Sequence, residues 1–239
     1  MSEYLYEVAR RLVAFDTVSS HSDTAAMKYL AGELAAHGYQ TALQPVELLG
    51  VSQSNLVAWI GPPRRDGLII SGHVDTVPFE GQPGWTREPL RLERAGERIF
   101  GRGTSDMKGF IAQCLDAATK LDSSRLARPL VFVFTASEEV GCLGAEKVAP
   151  ALKQVLGEMP VPRLAWIGEP TSYEVRHAHK SIVLFDVKVY PPGRKPRSCA
   201  KPGNAHASLL IGALPVSLVV DDAGAGGAVD DAGAGGADV

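Results

Sequence analysis

The chain has 239 residues, 45% of them apolar and 21% charged, with a formal net charge of −3. These numbers fit one α/β domain of ordinary size with part of a second, and the scattered Lys and Arg residues exclude a basic stripe for nucleic acid. Because no run of eighteen apolar residues occurs and the first residues lack a secretory pattern, we expect a cytoplasmic protein with no membrane partner.

Two amphipathic helices are predicted first in the chain. The first helix has apolar residues at helical spacing within residues 1–13 of the chain. The second helix follows Ser22 and Asp23, which we predict as its cap. Both helices are expected to pack on a core, and a strand is predicted over Asn55–Ile60. The apolar faces of the helices comprise Leu5, Val8, Leu12 and Val13, and then Met27, Leu30, Ala31 and Leu34.

The next predicted strand, Leu68–Ile70, leads into the segment that contains His73 and Asp75. Its apolar run is typical of a buried parallel strand, so the polar pair should emerge at the carboxyl end, where open α/β sheets place their sites. Residues i and i+2 of extended backbone point the same way, so an imidazole and a carboxylate can face one pocket. Asp75 is then placed to orient a metal-bound His73. The alternative interpretation is a buried histidine beside a turn aspartate.

A hairpin is predicted over Leu90–Phe100, and a glycine-rich loop follows it. The loop carries Asp106 directly ahead of a predicted helix, so the aspartate can reach a site beside the sheet. The loop lacks the third glycine of a dinucleotide-binding motif, and Ser105 lacks the second glycine of a nucleophile elbow. Neither phosphate binding nor serine catalysis is therefore indicated.

Two further acidic clusters follow predicted strands. Glu138 and Glu139 come after the apolar run Leu130–Thr135, and Glu169 comes after Leu164–Ile167. Adjacent glutamates are also typical of a solvated helix start, which is the alternative interpretation of that pair alone. The sequence contains four such clusters at strand ends or in a loop, and each carries His, Asp or Glu. None carries a nucleophile together with its base, so the clusters together favour a di-metal hydrolase site.

These motifs resemble the M20 family of zinc aminoacylases and peptidases. The resemblance runs from about residue 3 to about residue 190, and its motifs Gly101–Phe110, Gly168–Ser172 and Ala178–Lys180 are most similar to the acetylornithine deacetylase branch. It implies a role for each of six side chains. His73 and Glu169 would ligate one metal ion, Asp106 would bridge two, Glu139 would ligate the second, Asp75 would orient His73, and Glu138 would be the general base.

The residue types agree with those roles. Two cations about 3.5–4 Å apart can share a water, lower its pKa and polarise an amide carbonyl. Glu138 would take the proton of that water and return it to the leaving amine. Ligation by histidine and carboxylates suits Zn²⁺, Co²⁺ or Mn²⁺, and we expect two Zn²⁺ or Co²⁺ ions in an intact site. The resemblance implies a small N-acyl amino acid as the substrate, N2-acetyl-L-ornithine in that branch, with desuccinylase or dipeptidase activity as alternatives.

The end of the chain differs in character from its beginning. Ile182–Tyr190 alternates like the first strand of a second domain, and a proline-rich break follows. One glycine- and alanine-rich nonapeptide then occurs twice, over 220–228 and 229–237, with too few apolar side chains to order itself. Strands alternating with helices predict an α/β fold, with a mixed, mostly parallel sheet flanked by helices. We therefore expect an incomplete catalytic domain over 1–178, the start of a lid and dimerisation domain over 179–190, and a disordered tail over 191–239.

In the resembling family, the later part of the chain completes the lid, forms a homodimer and supplies a last histidine ligand. Neither part is recognisable here, so we expect a truncated or frame-shifted gene product in which dimerisation is doubtful. His206 is the single histidine of the tail, but no strand is predicted around it to hold it as a substitute ligand. Two hypotheses stay open, namely a metal-dependent amidohydrolase and a non-catalytic fragment that binds at most one metal ion.

Overall fold

A computed structural model of the protein describes residues 1–172 and 174–176 in full and gives the backbone of strands 182–188 and 206–212. The chain divides into two compact units, Met1–Glu174 and Val175–Val239. The first unit contains four α-helices, one short 3-10 helix and seven strands. In chain order these are α1 (Glu3–Ala14), α2 (Thr24–Ala36), β1 (Gln40–Leu48), β2 (Val51–Ile60), β3 (Leu68–His73), β4 (Glu93–Ala95), β5 (Arg98–Phe100), α3 (Lys108–Thr119), the 3-10 helix Ser123–Arg125, β6 (Leu130–Thr135), α4 (Leu143–Leu156) and β7 (Leu164–Ile167).

Five of these strands form one mixed sheet in the order β1-β2-β6-β3-β7. Strand β3 lies between β6 and β7 and runs parallel to both, whereas β1 and β2, and β2 and β6, pair antiparallel. The predicted α/β class with a mixed sheet flanked by helices is confirmed. Because β3, β6 and β7 are parallel neighbours, their carboxyl ends meet at one edge of the sheet, and His73 pairs with Thr135 at the end of β6.

The core lies on both faces of the sheet. Paired residues alternate between the faces, so Leu56 and Phe134 pack in the cluster below α1, α2 and α3, while Val57 and Val133 pack in a smaller cluster below α4. Each fully buried side chain of this kind contributes about 1.5–3 kcal/mol of transfer free energy. The layers therefore hold the site-bearing strand ends on a rigid base.

The two N-terminal helices form as predicted, but their caps differ. Ser2 caps α1 by accepting a hydrogen bond from the backbone N of Leu5 at 3.1 Å. Asp23 precedes α2 without a side-chain cap bond, because its Oδ1 accepts the backbone N–H of Ser54 on β2 at 2.8 Å instead. Asp23 therefore occupies the predicted N-cap position of α2, but its carboxylate bonds to the sheet and not to the helix.

Other boundaries differ from the sequence pattern. The predicted hairpin is present, but its first strand begins only at Glu93. No element was predicted for β1 or α4. Each contains a proline, Pro45 and Pro150, a residue that is uncommon in a strand or helix interior. Strand β1 tolerates its proline because it is an edge strand.

The second unit contains an antiparallel pair of strands, β8 (Ile182–Lys188) and β9 (His206–Gly212). Strand β8 falls within the predicted strand 182–190. Strand β9 lies within the predicted tail and begins at His206, so the expectation that no strand surrounds His206 is wrong. Residues 213–239, with the nonapeptide repeat, lie outside the described residues. Within the part of the chain that the structure describes, no helix is long and apolar enough to cross a membrane.

Candidate metal centre

His73 is the last residue of β3, and its side chain is almost wholly buried, with 1% of its surface exposed. Its Nδ1 lies 3.0 Å from the backbone oxygen of Asp75. Its Nε2 faces three carboxylates, at 3.0 Å from Asp106 Oδ1, 3.7 Å from Glu138 Oε2 and 3.9 Å from Glu169 Oε1. One ring nitrogen is thus fixed by the backbone, and the other points to acidic residues from three different segments.

Asp75 is fully buried beside His73 and accepts hydrogen bonds from the far side of the site. Its Oδ2 accepts from Ser19 Oγ at 2.7 Å and from the backbone N of Glu139 at 3.2 Å, and its Oδ1 accepts from the backbone N of Glu138 at 2.9 Å. Its Oδ1 also lies 3.5 Å from His73 Nδ1. Asp75 therefore connects the end of β3 with the loop after β6.

Asp106 reaches the site from the loop between β5 and α3. Gly103 in this loop has φ +80°, and Met107 packs so close to β3 that a Cβ at Gly72 would lie 3.0 Å from Met107 Cε. Lys108, the first residue of α3, is fully buried and donates to the backbone oxygen of Phe15 at 2.8 Å. These contacts hold the loop against the carboxyl end of β3.

The two remaining segments supply the glutamates. Glu138 and Glu139 follow β6, with Ser137 in the left-handed region at φ 51° just before them. Glu169 follows β7, where the backbone N of Gly168 donates to Ser71 of β3 at 3.1 Å. Gly168 has no room for a side chain, because a Cβ there would lie 2.3 Å from the ring of Phe110.

The structure brings all six predicted site residues together at the carboxyl ends of β3, β6 and β7 and in the adjoining loop. Two overlapping groups have ligand atoms within 4.8 Å of one another, and both include His73. The two groups differ from the implied ligand sets in two respects: His73, not Asp106, is common to both groups, and Glu138 lies with His73 and Glu169. The groups are His73, Asp106 and Glu139, and then His73, Glu138 and Glu169.

Crowded carboxylates shift the pKa values of the site. Burial alone would lower the pKa of His73, but Asp75, Glu138 and Glu169 outweigh it and raise that pKa to about 9. Burial raises the pKa of Glu139 and of Glu169, and neighbouring carboxylates raise both further. Burial opposes ionisation of Asp75, yet hydrogen bonds from His73, Ser19 and the Glu138 backbone lower its pKa overall. A donor set of one imidazole and several converging carboxylates fits divalent cations, whose charge would relieve this repulsion.

Sequence reasoning missed the buried polar residues that support the site. Ser19, Gln53 and Ser137 are almost fully buried and hydrogen-bond to one another or to Asp75. Serine and glutamine are not common metal ligands, so no metal-binding pattern could have identified Ser19 or Gln53. Gln53 lies on β2, whereas Ser19 and Ser137 lie in the loops that follow α1 and β6.

Comparisons with known proteins identify the family and the fold of the chain. Residues 69–232 match the peptidase family M20/M25/M40. This range extends beyond residue 190, where the sequence motifs predicted that the resemblance ends. The chain is 36% identical over 193 residues to acetylornithine deacetylase of Yersinia pseudotuberculosis serotype O:1b (strain IP 31758), covering 77% of this chain and 48% of that protein. It is 37% identical over 192 residues to acetylornithine deacetylase of Proteus mirabilis (strain HI4320), and the match covers 77% of this chain and 46% of that protein.

The chain therefore spans about half the length of the curated relatives that it matches. Solved structures share its fold at lower identity. Human carnosine dipeptidase 1 superposes with a TM-score of 0.56 at 20% identity, covering 74% of this chain and 40% of that one. An M20 family metallo-carboxypeptidase from Sulfolobus solfataricus superposes with a TM-score of 0.55 at 21% identity, and the match covers 70% of this chain and 37% of that one.

Proposed function

Because this chain belongs to peptidase family M20/M25/M40, we propose that it is a metal-dependent amidohydrolase that cleaves N2-acetyl-L-ornithine to L-ornithine and acetate. One observation carries the proposal. His73 Nε2 lies within 4 Å of carboxylates from the loop before α3, from the end of β6 and from the end of β7. Such convergence of partly buried acidic groups on one buried imidazole is costly unless a cation neutralises it.

The side chains present suit two divalent ions. His73 and Glu169 would hold one ion, Glu139 the other, and Asp106, whose Oδ1 is 3.0 Å from His73 Nε2, would stand between them. When bound, such ions polarise the amide carbonyl and lower the pKa of the attacking water. Zn²⁺, Co²⁺ and Mn²⁺ all suit this mixed donor set of imidazole and carboxylates, and Zn²⁺ or Co²⁺ is the proposed ion.

Glu138 is the proposed general base. Its carboxylate is partly exposed and lies 3.7 Å from His73 Nε2, so it can reach both the site and the solvent. It takes a proton from the water that adds to the amide carbon. It then delivers that proton to the amine nitrogen as the C–N bond breaks, which releases the free amine and the carboxylic acid. Proton transfer by such a residue typically contributes a factor of about 10²–10⁴ to the rate.

Asp75 orients the site without touching the substrate. Its carboxylate lies beside Nδ1 of His73, which leaves Nε2 free to act as a ligand. It also fixes the backbone of the two glutamates. One buried carboxylate therefore sets the relative position of a ligand and the general base.

The substrate is proposed from the relatives, which are named acetylornithine deacetylase. A dipeptidase function is the second candidate, because human carnosine dipeptidase 1 and a yeast dipeptidase share the fold. Desuccinylation of an amino acid would use the same chemistry on a larger acyl group. The remaining alternative is a fragment that binds metal without turnover.

Purified protein tests these alternatives together. We expect two Zn²⁺ or Co²⁺ ions per chain by elemental analysis and acetate release from N2-acetyl-L-ornithine at a rate above that of N-succinyl amino acids or dipeptides. Chelation should abolish release, and Glu138→Gln should lower it while keeping the metal. Preferential cleavage of a dipeptide would select the second candidate. One bound ion or none, without turnover of any substrate, would establish the fragment.

A further inference from the structure

A chain of buried hydrogen bonds supports the loop that carries the glutamates. Ser137 Oγ donates to Gln53 Oε1 at 2.6 Å, across 84 positions of sequence. Gln53 Nε2 in turn donates to the backbone oxygens of Ser19 and His21, both at 3.0 Å. Gln53 is 1% exposed and Ser137 is fully buried, so water does not compete for these bonds.

Further hydrogen bonds connect Ser19 and Ser137 through Asp75 and so close a ring. Ser19 Oγ donates to Asp75 Oδ2 at 2.7 Å, and the backbone N of Ser19 donates to the backbone oxygen of Thr76. Asp75 accepts the N–H of Glu138, the residue directly after Ser137. The loop after β6 is therefore held at two adjacent residues, at Ser137 by Gln53 and at Glu138 by Asp75.

The backbone of Ser137 gives an independent reason for this anchoring. Its φ of 51° lies in the left-handed region, which a serine rarely adopts. Such a conformation persists only where the surroundings determine it. The Ser137 hydroxyl bond and the bond from Leu143 N to Ser137 O at 3.0 Å are the contacts that do so. The turn directs the next two residues, Glu138 and Glu139, away from β6 and toward His73.

We propose that Gln53 and Ser137 are positioning residues, which act through the backbone of Glu138 to hold the general base in its reactive position. This inference deepens the proposed hydrolytic function and rests on it. Neither side chain touches the ligand atoms around His73. A displacement of about 1 Å at a reacting group lowers rates by about 10²-fold, so loss of this anchor should lower kcat more than it raises KM.

Two variants test separately the hydrogen bond of Ser137 and the hydrogen bonds of Gln53. Ser137→Gly removes the hydroxyl and relieves the left-handed backbone at the same time, so a loss in this variant comes from the lost hydrogen bond and the freer backbone and not from strain. Gln53→Glu keeps an acceptor for Ser137 but replaces the amide donor with an oxygen that faces two backbone oxygens. Leu49→Gly is the matched control, because Leu49 also has a left-handed φ of 50° but is exposed at the turn between β1 and β2.

Hydrogen exchange of the backbone amides at 138 and 139 gives a measurement that does not require turnover. We expect at least about fivefold faster exchange in Ser137→Gly and Gln53→Glu, with exchange of the β6 amides unchanged, and wild-type exchange in Leu49→Gly. On N2-acetyl-L-ornithine, kcat should fall by about 10–100-fold at unchanged KM and metal content. If one variant does not fold, the other still provides both measurements.

Unchanged exchange at 138 and 139 in a folded Ser137→Gly would overturn the positioning role. Faster exchange combined with wild-type kcat would overturn it as well, because the loop would then be loosened without consequence. If the wild-type protein cleaves no N-acyl amino acid, the proposed function fails. The exchange measurement would still decide whether Gln53 and Ser137 anchor the loop.

Discussion

Asp75 Oδ1 accepts the backbone N–H of Glu138 at 2.9 Å, although the two residues are 63 positions apart in the sequence. This bond joins β3 to the loop after β6 at the place where both strands end. The other carboxylate oxygen accepts from Ser19 and from the backbone of Glu139. Both carboxylate oxygens of Asp75 thus accept a backbone N–H, so a hydrogen-bond donor in place of either oxygen would face another donor.

Asp75→Asn should therefore destabilise the protein. An amide of the same shape places an NH₂ group against at least one backbone N–H, which leaves a buried donor unpaired at a cost of about 1–3 kcal/mol. Thermal unfolding of the metal-free protein would measure this loss. Asp122→Asn is the control, because Asp122 accepts the backbone N–H of Ser124 on the surface. An Asp75→Asn protein as stable as the control would show that the bond to Glu138 contributes little.

Substitution by alanine should have different effects on metal binding at Asp106 and at Glu138. Asp106→Ala removes the carboxylate nearest to His73 Nε2, so we expect fewer metal ions per chain as well as lost activity. Glu138→Ala should keep the metal content and lower turnover by about 10²–10⁴-fold. Elemental analysis after gel filtration distinguishes the two. Metal loss in Glu138→Ala, with full metal retention in Asp106→Ala, would reverse the assigned roles.

Asp23 should make the protein less stable as the pH rises. Burial, with a further contribution from Asp75, raises the pKa of Asp23 from 3.8 to about 7, although the Ser54 backbone bond opposes this. The folded protein then holds a proton that the unfolded chain has lost. Between about pH 4 and pH 7 the free energy of unfolding falls as the pH rises, by as much as a few kcal/mol.

Asp23→Asn removes this dependence and keeps the acceptor for Ser54. We expect it to be more stable than the wild type at pH 8 and to lack the decline between pH 4 and pH 7. Urea unfolding at a series of pH values measures both. A decline of equal size in the variant would assign the dependence to another group.

Gly168→Ala should disturb the segment that carries Glu169. A Cβ at this position would lie 2.3 Å from the Phe110 ring, so the ring or β7 must move, at a cost of about 1–3 kcal/mol. Phe110→Ala should recover part of the loss in the double variant. Gly32→Ala is the control, since its Cβ would meet nothing within 4 Å in α2 and should be neutral or stabilising. Additive losses in the double variant would contradict the contact.

Strand β7 should promote self-association. Among the described residues it pairs only with β3, and Leu164, Trp166 and Ile167 are each more than half exposed. Exposed edges with apolar side chains favour association with other chains. Leu164→Lys should reduce the apparent mass at high concentration in sedimentation experiments. Leu121→Lys, outside the sheet, should not reduce it.

Local patterns in the sequence determined much of the fold. The apolar runs at Leu130–Thr135 and Leu164–Ile167 predict β6 and β7 with the bounds that the structure shows. Histidine and acidic residues shortly after such runs also predicted five of the six side chains that meet at the sheet edge, and the glycine-rich loop ahead of α3 predicted Asp106. This worked because strand periodicity and the position of a residue at a strand end are properties of a short segment.

Only the tertiary structure decided which distant residues support the site. The use of Asp23 by the sheet, and the bond from Ser137 to Gln53 across 84 positions, depend on the placement of β2 beside β6. No periodicity encodes that neighbour relation. Pro150 within α4 is accepted because the packing of its apolar face outweighs one lost helical hydrogen bond. Propensity describes a segment alone, whereas burial and partners are properties of the assembled sheet.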